Sequence, residues 1–180
     1  SGRSIKYNRT RNIIAVLAVI LTAVMFTTLF TIGASITDAF QLSTMRQVGT
    51  SAHAGFKFLT QEQYDILKAD PKIKNISYNI FIGSGENPEF AKKSVEIRYT
   101  EEKNADWGFT LPTTGTLPQN RLDVATSTEV LDMLGLPHEL GVQVPLEFTA
   151  AGGIKHSETF TLCGFWEQDA VSPVCEAFLS

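Results

Sequence analysis

The chain has 180 residues, 43 % of them hydrophobic, and a formal charge of −4 from 15 basic and 19 acidic side chains. That balance gives nucleic acid no basic footprint, and two cysteines are too few for a disulfide scaffold. With no G-x-S-x-G elbow, H-E-x-x-H helix or G-x-x-x-x-G-K-[ST] phosphate loop, the sequence carries no assembled catalytic or nucleotide-binding set and calls for no cofactor.

Ser1-Gly2, without an initiator Met, reads as a tag remnant. Arg3, Lys6, Arg9 and Arg11 follow with no acid among them, so residues 1–12 form a basic segment that the positive-inside rule keeps in the cytoplasm. From Ile13 to Ile36 there are twenty-four residues without a charge, enough at 1.5 Å per residue to cross a bilayer core of about 30 Å. Residues 13–36 are therefore read as a transmembrane helix embedded in the lipid bilayer. A cleaved secretion signal has a shorter apolar run and a small-x-small site after it. The polar side chains inside the run are Thr22, Thr27, Thr28, Thr31 and Ser35, whose hydroxyls can return to the preceding turn. Ala23, Thr27 and Thr31 are small and four apart, a candidate helix-packing face, with Val24, Phe26, Leu29 and Phe30 turned to lipid or a broader contact.

The 144 residues from Thr37 onward hold eleven basic and nineteen acidic side chains, a formal charge of −8, and are enough for one compact exterior domain. Ile36, Phe40 and Val48 recur near helical spacing, which predicts a stalk helix over 37–49 that Gly49 ends. The domain proper is then 50–180. HAGFKFL reads as a short strand. Thr60 and Gln63 make a capping box for a helix with Tyr64 and Leu67 on its buried side, stopped by Pro71. ISYNIFI alternates as a half-buried strand with Ile76, Tyr78, Ile80 and Ile82 inward, and Gly83 to Pro88 is its turn. The glycines of IGSGENP lack the G-x-G-x-x-G spacing of a phosphate cradle.

SVEIRY is the next strand, with Val95, Ile97 and Tyr99 inward. The stretch after it reads as a long loop pinned by Trp107 and Phe109, and the neighbouring Glu101 and Glu102 as a solvated face. In TSTEVLDMLG, Thr126 and Glu129 suggest a second capping box, Val130, Leu131 and Leu134 a buried stripe, and Gly135 the left-handed residue after the helix. VQVPLEF and ETFTLCGFW are two more strands joined by AAGGIKH, and Pro145 marks the first as an edge or a bulge. Alternation places Cys163 with Thr159 and Thr161, opposite Phe160 and Leu162. Cys163 and Cys175 are candidates for one disulfide or for two separate thiols, and spacing does not decide between them. His53, His138 and His156 share no metal-ligand spacing with them. NRT at Asn8 is a glycosylation pattern on the inner side, and NIS at Asn75 is one on the outer side. The fold class expected is α+β: a transmembrane helix and stalk, then a two-layer mixed α/β extracytoplasmic domain.

Several stretches together resemble the first half of bacterial permeases of the FtsX-like, MacB-type ABC transporter family. They are RTRN before the apolar run, TTLFTIGASI at its outer end, GFKFLTQEQYDILK, and the series GTLPQNRLDVATSTEVLDMLG, LGVQVPLEFT and ETFTLCGFW. Gly115, Pro118, Ala125, Leu134, Gly135, Gly141, Val144 and Gly164 occupy that family's pattern, a fold signature with no active site in it. The resemblance implies a non-catalytic permease in the bacterial cell membrane, working with a cytoplasmic ABC ATPase and a second permease copy or homologous permease. An exported peptide, antibiotic or lipoprotein is the cargo it suggests. It also implies three further membrane helices and a truncation within the exterior domain. The alternative is a sensor or binding domain of a membrane-anchored receptor, which shares one helix plus an α+β domain.

Overall fold

A computed structural model describes residues 9–168, 172 and 174–180, so Arg3, Lys6 and the sequon at Asn8 lie outside the described residues. The chain divides into two compact units, the first ending at Thr44 and the second beginning at Met45. The first is one helix, α1 (Arg9–Val48, 40 residues), whose last turn belongs to the second unit. At 1.5 Å per residue it is about 60 Å long. None of its side chains is buried, and its large apolar residues from Ile13 to Ile36 are all at least half exposed. A helix this long and this apolar can cross a membrane. Thr22, Thr27 and Thr28 donate their hydroxyls to the carbonyls of Ala18, Ala23 and Val24, each at 2.8 Å, so these polar groups are satisfied within the helix itself.

The second unit is largely a β-barrel. Its strands are β1 (Asn79–Gly85), β2 (Val95–Thr100), β3 (Thr114–Gly115), β4 (Asp123–Ser127), β5 (Gln143–Ala150), β6 (Lys155–Trp166) and β7 (Cys175–Leu179). Around the ring, β6 pairs β4 in parallel, β4 pairs β7 antiparallel, and β7 pairs β2 in parallel. The remaining pairs, β2 with β1, β1 with β5, and β5 back to β6, are antiparallel. The 12 residues of β6 make closure feasible, because Lys155–Thr161 pair with β5 and Thr161–Trp166 with β4. β3 adds only to the C-terminal end of β6, at Gly164 and Phe165.

The expected apolar helix followed by a mixed α/β domain is found, with the sheet closed on itself where two layers were expected. The interior of this closed sheet holds Val95, Ile97, Val124, Val144, Leu146, Phe160, Leu162 and Ala177, packed with Val130 and Leu131 of α4 (Thr128–Met133), both fully buried. On the other face of the sheet Ala125, Trp166 and Phe178 pack against Ala105 of α3 (Glu102–Trp107), with Leu111 and Leu117 beside them. β4 and β7 are thereby covered on both faces, so neither shows a clean alternation. β7 was missing from the sequence expectation for that reason.

Several local expectations hold. Thr60 and Gln63 form the capping box of α2 (Gln61–Ala69), and Gly135 takes φ 65° after α4. Others are corrected. HAGFKFL is irregular, and Phe58 within it is 99 % exposed. β1 begins at Asn79, leaves Ile80 52 % exposed, and continues through Gly85 where a turn was expected. Gly83 is required in the strand because a Cβ would sit 2.3 Å from the Thr149 carbonyl oxygen of β5.

A short 3₁₀ helix, Pro88–Lys92, follows β1, and the supposed long loop after β2 contains α3 and β3. Thr126 caps nothing, since it lies in β4 with its hydroxyl on the Glu176 carbonyl at 2.9 Å, while the N-cap of α4 is Ser127 without a side-chain bond. Pro145, expected at an edge or a bulge, sits where β5 pairs β6 on one side and no strand on the other, because β1 reaches only Phe148–Ala150. On the other side of β5, Asn87 stands in for a strand, donating Nδ2 to the Pro145 carbonyl (3.1 Å) and accepting the Glu147 N–H on Oδ1 (2.8 Å). A position that needs no N–H therefore tolerates proline inside the barrel.

Candidate functional site

Three helices end on the same backbone device. At the end of α1 the Gly49 N–H reaches the Arg46 carbonyl (3.2 Å) and the Thr50 N–H the Met45 carbonyl (3.1 Å), with Gly49 at φ 80°. At the end of α4 the Gly135 N–H reaches Asp132 (3.1 Å) and the Leu136 N–H reaches Leu131 (2.9 Å). These are Schellman pairings, which need a left-handed residue after the cap and normally place glycine there. At the end of α3 the Phe109 N–H reaches Asp106 (3.2 Å) and the Thr110 N–H reaches Ala105 (2.9 Å), so the left-handed residue is a phenylalanine at φ 59°. Gly108 stands one place earlier in ordinary helical backbone at φ −82°. A bulky side chain at positive φ is a strained conformation, which among the described non-glycine residues Phe109 shares with the exposed Phe58 at φ 60°.

Within the second unit the neighbours of this end of α3 are Arg46 in the last turn of α1 and Ser51 just after it. The Ser51 N–H donates to the Trp107 carbonyl at 2.8 Å, and its hydroxyl approaches the same oxygen at 3.3 Å. The Arg46 guanidinium lies 5.0 Å from the centre of the Phe109 ring, within cation–π range. α3 itself is anchored to the barrel through Ala105, 1 % exposed, against Trp166 and Phe178, whose rings stack at 5.1 Å. Its other side is tied down by Glu101, which accepts the Ser77 hydroxyl (2.6 Å) and the Tyr78 N–H (3.3 Å). Glu101 is thus a structural acceptor and Glu102 an exposed neighbour. The stretch after β2 is held by the Phe109 ring against Arg46 and by the Trp107 backbone carbonyl, not its ring, against Ser51, partners which no periodicity in the sequence marks.

Charged groups elsewhere form small closed sets. Arg98 on β2 binds Glu96, Glu176 (3.3 Å) and the Asn79 side chain (2.9 Å), and Phe81 lies under its guanidinium. Burial pushes the Glu176 carboxyl up in spite of Arg98, and the Glu96 charge adds to that. Lys93 meets Glu129 at 2.6 Å, and that hydrogen bond holds its ammonium above the ordinary lysine value.

The structure does not bring Cys163 and Cys175 together. Both are free thiols, on β6 and β7, with β4 between these strands. Cys163 donates to the Val124 carbonyl (3.2 Å), and Cys175 approaches the Glu129 carboxylate (3.5 Å). Burial pushes both thiols up to about 11, reinforced by Asp123 at Cys163 and by Glu129 at Cys175, so neither is a thiolate nucleophile at neutral pH. Ala23, Thr27 and Thr31 lie above one another on an exposed side of α1, the Thr27 hydroxyl already bound to its own helix. Among the described residues no three His, Cys, Asp or Glu side chains converge as a metal set.

No protein-family model and no curated protein matches this sequence. Among solved structures, the chain is similar to the extracellular domain of the noncanonic ABC-type transporter YknZ from Gram-positive bacteria, at 12 % identity and a TM-score of 0.44. The match covers 67 % of this chain and 62 % of that one, so the chain spans less than two thirds of the solved domain.

Proposed function

We propose that the chain is the first membrane helix and the extracytoplasmic domain of an ABC-transporter permease, non-catalytic itself and worked by a partner ATPase on the cytoplasmic side. The observation that carries this reading is α1, an apolar span followed without a break by twelve more helical residues that lead into the barrel unit. In this reading 1–12 is the cytoplasmic segment, 13–36 the span, 37–49 the stalk and 50–180 the exterior domain.

The charge distribution supports the orientation. The first turn of α1 holds Arg9 and Arg11 and no acid. That sign is unfavourable at the positive end of a helix dipole, and a requirement to retain the N-terminus in the cytoplasm accounts for it. The formal charge of −8 beyond Ile36 lies on the side that the rule leaves free of basic excess. The resemblance in the sequence suggests the ATPase partner, the second permease copy or homologue, and the class of cargo, a peptide, antibiotic or lipoprotein. Ala23, Thr27 and Thr31 are the proposed packing face for a neighbouring helix, and Thr27→Leu should weaken association of the full-length permease in a membrane cross-linking assay.

The test of coupling is Gln41→Pro in the full-length permease reconstituted with its ATPase. Proline in a helix interior costs about 3 kcal/mol locally and leaves the barrel core untouched. Retained ATP hydrolysis with lost export or exterior work is the expected result. Unchanged output from a folded variant would leave the exterior domain a passive binding or sensor module.

A further inference from the structure

Phe109 occupies a position that the same chain fills with glycine at the ends of both α1 and α4. A glycine was within reach at Gly108, so the left-handed conformation falls on the aromatic residue by sequence register. The strained residue also carries the ring that meets Arg46, and it lies two residues after the carbonyl that receives Ser51. Strain, ring contact and hydrogen bond thus coincide where the foot of α1 meets α3.

We infer that Arg46–Phe109 and Ser51–Trp107 form a releasable latch between the foot of α1 and the second core cluster of the barrel, with Phe109 setting how readily it opens. The left-handed backbone of Phe109 is set by the closing hydrogen bonds of α3 itself, so its strain is the local cost of presenting the ring to Arg46, and the latch rests on two individually modest contacts that are easy to undo. Arg46 is exposed and its contact with the ring is correspondingly modest, which suits a contact made and broken repeatedly. When latched, displacement of the foot passes through Trp107 and Ala105 to Trp166 and Phe178. When released, the foot moves without disturbing the barrel. The load on this latch rests on the permease reading above, but the latch is testable on the chain alone.

The experiment is amide hydrogen exchange at Ser51 in the whole chain in lipid nanodiscs, with the Ile97 and Val144 amides of the barrel as internal controls. Removing the cation in Arg46→Gln is expected to speed Ser51 exchange about two- to fivefold, and Arg46→Lys to restore most of the protection. Phe109→Gly loses the ring but adopts the backbone freely, so its effect is expected to be smaller than that of Phe109→Ala, which loses the ring and keeps a Cβ at positive φ. The controls are expected to stay at wild-type rates. Three results would overturn the latch: Ser51 exchanging in the wild type as fast as an unstructured amide, Ser51 rates in Arg46→Gln and Phe109→Ala equal to wild type, or barrel amides accelerating in step with Ser51 in the surface variant Arg46→Gln. Because no ATPase takes part, failure of the latch and failure of the permease assignment remain distinguishable.

Discussion

The ends of α3 and α4 are built on the same two hydrogen bonds and differ in the residue placed at the left-handed position. At α4 it is Gly135, with open space around it, after a helix whose Val130 and Leu131 are fully buried in the barrel. At α3 it is Phe109, after a helix that buries only Ala105, receives Ser51 on the Trp107 carbonyl and meets Arg46 of α1's last turn at the Phe109 ring. The first end is relaxed and belongs to the part of the molecule that supplies stability. The second retains strain where the barrel connects to its helix. Local backbone cost is tolerated at the junction because the core elsewhere supports the fold.

The comparison breaks if α4 is not a stability element. Leu131→Ala is expected to cost about 2–5 kcal/mol by transfer and cavity terms, measured by chemical denaturation, and this is the largest effect expected in the chain. A loss under 1 kcal/mol would mean that α4 does not complete the core. The glycine and phenylalanine ends are compared directly by two smaller changes. Gly135→Ala should lose about 1 kcal/mol, because it moves a Cβ into the conformation Phe109 already suffers. Phe109→Gly should change stability by less than that, since relief of strain offsets the lost ring contact, and Phe109→Ala should be the less stable of the two Phe109 variants. Equal stabilities for Phe109→Gly and Phe109→Ala would show that the backbone there is not strained.

How legible these ends were in the sequence differed for a physical reason. Gly135 followed an amphipathic stripe and could be placed at once, as could the box formed by Thr60 and Gln63, because each signal lies within one helical turn. In WGF the glycine advertises the left-handed position and does not take it, so Phe109 read only as a pinning aromatic. Its partner Arg46 lies 63 residues away, and nothing local encodes that pairing. Ring closure was hidden in the same way. The double role of β6 is not visible in its alternation, and β7 is buried on both faces, which removes the period-two signal. Asn87 beside Pro88 looked like turn chemistry, whereas its amide replaces a strand for Pro145. The apolar run of α1 was the most legible feature, because length and absence of charge alone define it.

The smallest expected effect lies in the Arg98 set. Burial raises the folded-state carboxyl of Glu176 above its unfolded value, so the folded chain keeps that proton to a higher pH. Stability from this group is therefore fully present below the unfolded value of 4.5 and falls as pH rises through the folded one. Glu176→Gln should flatten that slope and be neutral to slightly stabilising at pH 7 in thermal melts. A marked loss of stability at pH 7 would mean that the Arg98 ion pair outweighs desolvation.

The proposed topology has α1 spanning the membrane with its basic end inside and the barrel outside. Thiol labelling tests it most directly, in intact cells expressing the chain with Cys163→Ala and Cys175→Ala, using a membrane-impermeant maleimide on Glu102→Cys or Ser4→Cys. Glu102→Cys is expected to react in intact cells and Ser4→Cys only after the membrane is opened. Labelling at Ser4→Cys alone, or equal labelling at both sites in intact cells, would contradict it.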